Sequence, residues 1–214
     1  MDVGAIIGAV TRTVATRTRD GKSMRVVIAE RDYETDIEDL WNAVTDPDRI
    51  ARWFMPIEGS VGLGERYQLK GNAGGEVLAC DPPKEFSVTW EFGGEVSWLT
   101  VSLSPAGEVT RLRLEHSAHV PEEFWSQYGA GATGVGWDMA LMGLGMHIKT
   151  GTATVWSPEE INAWSASADG RSFIVRSAEG WVAAAIADGD DADAARAAGE
   201  RTKAFYTGDT PPAG

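Results

Sequence analysis

The sequence has few of the residues from which covalent or metal-based sites are built. Cys80 is the one cysteine in 214 residues, which excludes an internal disulfide framework and a zinc site made of cysteines. Two of the three histidines, His116 and His119, lie three residues apart, a spacing that places them on opposite faces of a strand. The sequence therefore predicts no metal and no cofactor, and a single thiol fits a reducing cytoplasm.

Positive charge and long apolar runs are also scarce. The chain has 19 Lys and Arg against 32 Asp and Glu, a net charge of −13, and this acidity argues against a nucleic-acid-binding surface. No apolar run approaches the roughly 20 residues that span a bilayer, and residues 5–10 (AIIGAV) are too short for a secretion signal. We expect a cytoplasmic protein that binds no nucleic acid and does not insert into a membrane.

Residues 34–56 predict two short helices. Apolar residues recur at helical spacing, at Ile37, Leu40, Trp41 and Val44. Thr35, followed by Glu38, fits a capping box at the start of the first helix. Asp46 fits the cap of the second helix, with Pro47 at its first position. The acidic residues of this segment are thus interpreted as helix caps.

Alternating apolar and polar residues predict an antiparallel sheet. Two runs flank Asp20-Gly21, a hairpin sequence, and the second run is a strand over residues 24–29. Five further strands are predicted at residues 65–70, 76–80, 86–92, 97–103 and 109–116. In the last strand, one face carries Leu112, Leu114 and His116. The alternation predicts that one face of the sheet is covered and the other solvated.

The rest of the chain is predicted to be helical. Residues 137–148 have an apolar stripe and almost no charge, which predicts a buried helix lying across the sheet. The glycine-rich residues 129–136 before it are predicted to be a loop. Ser157-Pro158 begins the first of three helices, which form an extension over residues 157–207 packed on the core, and residues 208–214 are predicted to be disordered.

No catalytic motif is evident. The chain contains no G-x-S-x-G, and the glycine-rich stretches GNAGG and GAGATGVG lack the Lys-Ser/Thr of a phosphate loop. His116 has two interpretations: an interior or rim histidine, or an acid–base group that points into a cavity.

Four stretches together resemble a known family. They are LWNAVTDPDRIARWFMP, GGEVLACDPPKEFSVTWEF, VTRLRLEHS and GVGWDMALMGLGMHI. They are similar to the SRPBCC (START-like) superfamily and, within it, to homologues of the activator of heat shock protein 90 ATPase. The motifs are W-x-A-x-T-D-P from Trp41, a second tryptophan at Trp53, the strand that ends at Trp90, and Gly136-Trp137 at the start of the long helix. The resemblance covers residues 8–150.

The resemblance implies an α+β helix-grip fold. Seven antiparallel strands would form a curved sheet wrapped around a long helix at residues 134–149, with a cavity between them. Members of the superfamily bind lipids, sterols and polyketides, some are cyclases or dehydratases, and some are co-chaperones. The fold alone does not choose among these roles.

Nine tryptophans are the unusual feature of the composition, and aromatic side chains line many apolar pockets. The candidate ligand-binding residues are Trp41, Trp53, Phe54, Trp90, Leu112, Leu114, His116, Trp137, Leu141 and Leu144. The favoured function is non-catalytic binding of a small hydrophobic molecule in the cavity. The alternatives are a co-chaperone or regulatory module that binds a chaperone in a stress response, and an enzyme acting on a polyketide- or lipid-like substrate. The sequence does not predict the oligomeric state.

Overall fold

The structure, a computed structural model, describes residues 3–60, 62–153 and 155–209. The strands in this part of the chain are β1 (Val10–Arg19), β2 (Lys22–Tyr33), β3 (Ile57–Gly59), β4 (Arg66–Leu69), β5 (Gly74–Asp81), β6 (Glu85–Phe92), β7 (Glu95–Ala106) and β8 (Val109–Ala118). The helices are α1 (Val3–Gly8), α2 (Ile37–Thr45), α3 (Pro47–Trp53), α4 (Glu122–Tyr128), α5 (Gly131–Thr150), α6 (Pro158–Ala166), α7 (Ala168–Asp188) and α8 (Ala192–Thr207). Of the predicted disordered tail, residues 210–214 lie outside the described residues.

The described strands form one curved antiparallel sheet in the order β1-β2-β8-β7-β6-β5-β4-β3. The α+β helix-grip class is therefore confirmed, but the implied number of seven strands was wrong. The additional strand is β3, which pairs with β4 through Ile57, Glu58 and Gly59. Three residues are too few to show the alternation by which a strand is found in a sequence.

The predicted hairpin turn at Asp20-Gly21 is confirmed. Asp20 has φ 52° and Gly21 has φ 75°, the left-handed pair that a two-residue hairpin loop requires. Gly93-Gly94 repeats this geometry between β6 and β7, with φ 61° and 86°.

Of the two helix caps predicted for α2 and α3, one is confirmed and one was wrong. Asp46 caps α3, since its side chain accepts a hydrogen bond from the backbone N–H of Arg49. The N-cap of α2, however, is Asp36 and not Thr35: its Oδ1 accepts from Asp39 N at 2.8 Å. The helix begins at residue 37, so Asp36 occupies the position from which a side chain reaches the third helical N–H.

The long helix α5 begins at Gly131, so the loop predicted for residues 129–136 was largely wrong. The glycines there serve close packing. A Cβ at Gly131 would lie 2.9 Å from the side chain of Thr202, and a Cβ at Gly134 would overlap the ring of Trp181. Glycine lowers helix propensity by about 1 kcal/mol relative to alanine, and here the need for a close contact outweighs that cost.

Two compact units share the chain. The first consists of Met1–Ala29, His119–Met139 and Trp156–Gly214, and the second of Glu30–Ala118 and Ala140–Val155. In the first unit, α7 packs against β1, α1, α6 and α8, and α4 packs against α8. The helix start predicted at Ser157-Pro158 is present in α6, where Ser157 and Glu160 form a capping box.

The first unit contains a buried ion pair. Asp138 Oδ2 accepts hydrogen bonds from Arg12 Nε at 2.8 Å, from Trp181 Nε1 at 3.1 Å and from the hydroxyl of Ser177. The side chains of Arg12 and Asp138 are 8% and 0% exposed. Burial raises the pKa of Asp138, while Arg12 and the two other donors act in the opposite direction.

Candidate functional site

The second unit has a sheet face built from alternate residues of β6, β7 and β8, called here the inner face. In the pairing of β7 with β8, Leu112 lies opposite Leu103, Leu114 opposite Val101, and His116 opposite Leu99. The leucines and the valine are almost fully buried. The alternate residues on β8 are charged and pair with β2 on the other face, for example Arg111 with Asp32. The two faces therefore differ as core and solvent sides do.

One end of the inner face carries a polar and aromatic group, formed by Trp90, Ser97 and His116. Ser97 Oγ lies 3.0 Å from the carbonyl oxygen of Trp90, to which its hydroxyl donates, and 2.8 Å from His116 Nε2. The rings of Trp90 and His116 are 5.8 Å apart between centroids. Ser97 and His116 are thus joined by a hydrogen bond whose direction is set by the tautomer of the imidazole.

Burial lowers the pKa of His116 to about 4. The imidazole is therefore neutral near pH 7. It can form hydrogen bonds, but it lacks the second ring proton, which an imidazolium donates when it acts as a general acid.

The aromatic residues of α2 and α3 form two further contacts in the second unit. Trp41 meets the ring of Phe86 edge-on, with centroids 6.0 Å apart, and Trp53 stacks on Phe54 at 5.5 Å. The indole of Trp53 donates to the carbonyl oxygen of Ala43 at 2.8 Å. Trp41, Trp53 and Phe54 all remain half-buried, so part of each ring stays accessible.

The C-terminal half of α5 is held against β2 through one carbonyl group. The oxygen of Leu141 accepts from Arg31 Nη1 at 2.9 Å and from the hydroxyl of Tyr33 at 3.1 Å. Leu141 and Leu144 are both fully buried. Trp137 is also buried, but it belongs to the first unit.

His147 is buried and has a structural environment. Its Nδ1 lies 2.8 Å from the carbonyl oxygen of Thr152, and its Nε2 lies 3.4 Å from Arg49 Nε. Arg49 in turn pairs with Asp39 at 2.6 Å. Burial acts to raise the pKa of Asp39, but the bonds from Arg49 and Thr35 lower it overall. This network ties the end of α5 to α2 and α3.

Arg31 was missed by the sequence analysis. The predicted strand ended at Ala29 because the charged run Glu30-Arg31-Asp32 interrupts the apolar pattern. The structure continues β2 to Tyr33. Strand alternation from Tyr33, which bonds to α5, would have placed Arg31 on the same covered face.

A cavity of about 140 Å³ lies in the first unit, among α4, α7, α8 and the start of α5. Its walls include Ala178, Ala185, Ala195 and Ala198, with Trp125 and Trp181. This volume is similar to that of an engineered apolar cavity that admits benzene. None of the ten candidate residues from the sequence lines it.

The described residues contain neither a metal-binding cluster nor a helix that could span a membrane. No cluster of three or more His, Cys, Asp and Glu residues there is arranged to hold a metal ion. Within the same residues, no helix combines the length and apolar character needed to cross a membrane.

The strand order and the long helix α5 define a helix-grip protein of the α+β class. Residues 34–149, more than half of the chain, match the family described as "Activator of Hsp90 ATPase homolog 1-like protein". The chain belongs to this family, and the resemblance inferred from its motifs is confirmed.

Solved structures extend the comparison. CalU16 from Micromonospora echinospora is 32% identical, with a TM-score of 0.63 for its crystal structure over 83% of this chain and 99% of CalU16. Its solution structure gives a TM-score of 0.68 over 84% and 97% of the two chains, at the same 32% identity. The protein MLL2253 from Mesorhizobium loti is 29% identical, with a TM-score of 0.53 over 58% of this chain and 97% of MLL2253. No curated protein matches the chain.

Proposed function

We propose that this protein binds a small, largely apolar molecule on the inner face of the second unit, without covalent chemistry. One observation carries the proposal: large aromatic side chains are half-buried beside neighbours that are fully buried. Trp90 is half-buried, whereas Val88, two residues earlier on the same strand, is 6% exposed. The same contrast separates Trp41 from Leu40, which is 0% exposed.

A core filled by its own side chains buries its large aromatic rings, because they contribute most of the apolar area. Partly accessible rings that contact one another, as Trp90 does with His116 and Trp53 with Phe54, instead offer apolar surface to a partner. Ser97 and the neutral His116 add hydrogen-bonding groups at one end. Such a surface suits a ligand with an apolar body and a few polar atoms.

A neutral fluorescent probe tests this proposal. N-phenyl-1-naphthylamine gains fluorescence when it leaves water, and we expect it to bind the wild type and to quench the protein's tryptophan emission. Trp90→Ala should weaken its binding about 10-fold, since lost aromatic burial is worth roughly 1.4 kcal/mol or more. Trp156→Ala is the matched control, because Trp156 is also half-buried and pairs with another ring, that of Trp164, in the first unit.

The control should change the affinity less than about 2-fold. Equal weakening by the two substitutions, or no binding to the wild type, would overturn the proposal.

A second candidate function is that of a co-chaperone module. It is favoured by the family and by Phe92 at the end of β6, an aromatic side chain that is 60% exposed. Aromatic side chains are enriched in protein-binding surfaces. Stimulation of the ATPase activity of a purified chaperone of the Hsp90 class, lost in Phe92→Ser but kept in the control Leu63→Ser, would support this function. No stimulation by the wild type would exclude it; Leu63 is a fair control because it is 67% exposed.

A further inference from the structure

Arg31 on β2 has more hydrogen-bonding capacity than its surroundings use. Nη1 donates to the carbonyl oxygen of Leu141 at 2.9 Å, and the guanidinium lies 5.2 Å from the centre of the Tyr33 ring. Its Nε, however, is buried and has no hydrogen-bond partner among the described residues. A buried donor left without an acceptor is costly, and the cost is higher for a charged group.

The charge of Arg31 is also uncompensated. Two other arginines in partly buried positions each contact a carboxylate, Arg12 at 2.8 Å from Asp138 and Arg49 at 2.6 Å from Asp39. Within the described part of the chain, no acidic side chain lies within ion-pair distance of Arg31. Its sequence neighbour Asp32 pairs with Arg111 on the opposite face.

The backbone of α5 makes room for this guanidinium. A Cβ at Gly145 would lie 2.6 Å from Nη2 of Arg31, so any larger residue there would push the side chain away. Nε and Nη2 form one edge of the guanidinium fork, the edge that binds a carboxylate through two parallel hydrogen bonds.

We propose that the molecule bound in the second unit carries an acidic group, a carboxylate or a sulfonate, which Arg31 binds. This inference rests on the proposed function and adds the chemical class of the ligand. An anion at this position would supply the missing acceptor of Nε and neutralise the charge. An apolar body would then lie along the inner face.

Two probes that differ in one group test this inference. Anilinonaphthalene-8-sulfonate and N-phenyl-1-naphthylamine share the same aromatic skeleton, and the first carries a sulfonate. The net charge of −13 opposes anions in general. A preference for the sulfonate therefore reports a local cation, and we expect the wild type to bind the anionic probe about 10-fold more tightly than the neutral one.

Three variants locate the cation. Arg31→Gln should abolish the preference by weakening the sulfonate probe about 10-fold, while the neutral probe changes less than about 2-fold. Arg31→Lys keeps the charge without the fork and should keep part of the preference. Arg111→Gln, which removes an arginine from the opposite face, should leave the preference intact.

The outcomes separate the two proposals. If the neutral probe binds and the sulfonate gives no advantage, or if Arg31→Gln keeps the advantage, the acidic ligand is wrong and apolar binding stands. If neither probe binds, the proposed function is overturned and the inference with it. Circular dichroism and the melting temperature of each variant show that the compared proteins are folded.

Discussion

Two arginines on the first two strands show how the same side chain serves different ends. Arg12, in the first unit, is 8% exposed and bonded to Asp138, and two of its other nitrogens reach the carbonyl groups of Val10 and Ile7. Arg31, in the second unit, has one hydrogen bond to a backbone carbonyl and a buried Nε without a partner in the described residues. One guanidinium is compensated within the protein and the other is not.

A ligand is expected beside the arginine whose charge the protein leaves uncompensated. A buried charge that the chain itself neutralises contributes to the stability of the unit, because removing one partner leaves the other charge buried and unpaired. A charge that the chain leaves uncompensated reduces stability, and such sites are concentrated where molecules bind.

Arg12→Met should cause the largest loss of stability. It leaves the carboxylate of Asp138 buried without its counter-charge, so the free energy of unfolding should fall by about 3 to 5 kcal/mol. Burial already raises the pKa of Asp138, and loss of Arg12 raises it further. Protonation of Asp138 removes the unpaired buried charge. The loss in unfolding free energy, measured by urea unfolding, should therefore be larger at pH 8 than at pH 5.

The double variant Arg12→Met with Asp138→Asn supplies the control. Because it removes the charge as well as its partner, it should be more stable than Arg12→Met alone at pH 8. Arg111→Met, which removes an exposed pair with Asp32, should have almost no effect. Equal losses for Arg12→Met and Arg111→Met would show that the buried pair contributes nothing.

Glycine substitutions in α5 should give the next largest effects, graded by what a Cβ meets. At Gly134 the added Cβ overlaps the ring of Trp181, which the core holds fixed. Gly134→Ala should therefore lower the free energy of unfolding by about 3 kcal/mol. At Gly143 the Cβ would lie 2.8 Å from the backbone oxygen of Trp53, at a cost of about 2 kcal/mol.

At Gly145 the neighbour is the flexible end of Arg31, which can move, so Gly145→Ala should be nearly neutral or stabilising. Thermal unfolding of the three alanine variants measures the order. An equal gain in stability at all three positions would mean that helix propensity and not contact decides the effect, because alanine has the higher propensity.

These glycines also mark what the sequence could not predict about the fold. Seven of the eight described strands, the hairpin turn and the cap of α3 follow from local patterns, so they were found. The helical start at Gly131 was not, because glycine is read locally as a loop residue and its packing partners, Thr202 and Trp181, lie some 50 to 70 positions further along the chain. Close approach between distant segments leaves no local pattern.

The candidate site was predictable to a similar extent. Alternation along β8 indicates which face carries Leu112, Leu114 and His116, and the placement of these residues rests on register. Arg31 was passed over because an apolar pattern is the evidence for a strand and a charged residue breaks it. A charged residue at a covered strand position is the very feature that distinguishes a site from a core.

The stability of the protein should depend on pH through His116. An unfolded histidine has a pKa of about 6.5, and in the folded protein burial lowers it to about 4. Between these values the unfolded chain binds a proton that the native protein does not bind. The free energy of unfolding therefore falls as the pH drops through 6.5 towards 4, by about 2 kcal/mol at pH 5.

His116→Gln removes this titration and can keep the bond to Ser97. The difference in unfolding free energy between wild type and variant should change by that amount between pH 8 and pH 5. His119→Gln is the matched control, since His119 directly follows β8, is half-buried, and has its Nδ1 2.9 Å from the carbonyl oxygen of Ser23. A pH-independent difference for His116→Gln would mean that the imidazole is not desolvated.

Arg31→Met should have the smallest effect and the opposite tendency to Arg12→Met. The substitution gives up one hydrogen bond to Leu141, worth about 1 kcal/mol, but it removes a desolvated charge and a donor without an acceptor, each costing a similar amount. The free energy of unfolding should therefore stay unchanged or rise by up to about 1 kcal/mol. A loss comparable to that of Arg12→Met in urea unfolding would show that Arg31 is compensated within the protein after all, and the contrast between the two units would disappear. Unchanged stability together with a lost preference for the sulfonate probe would instead assign the side chain to binding, because the fold would then not need the guanidinium that the anionic probe needs.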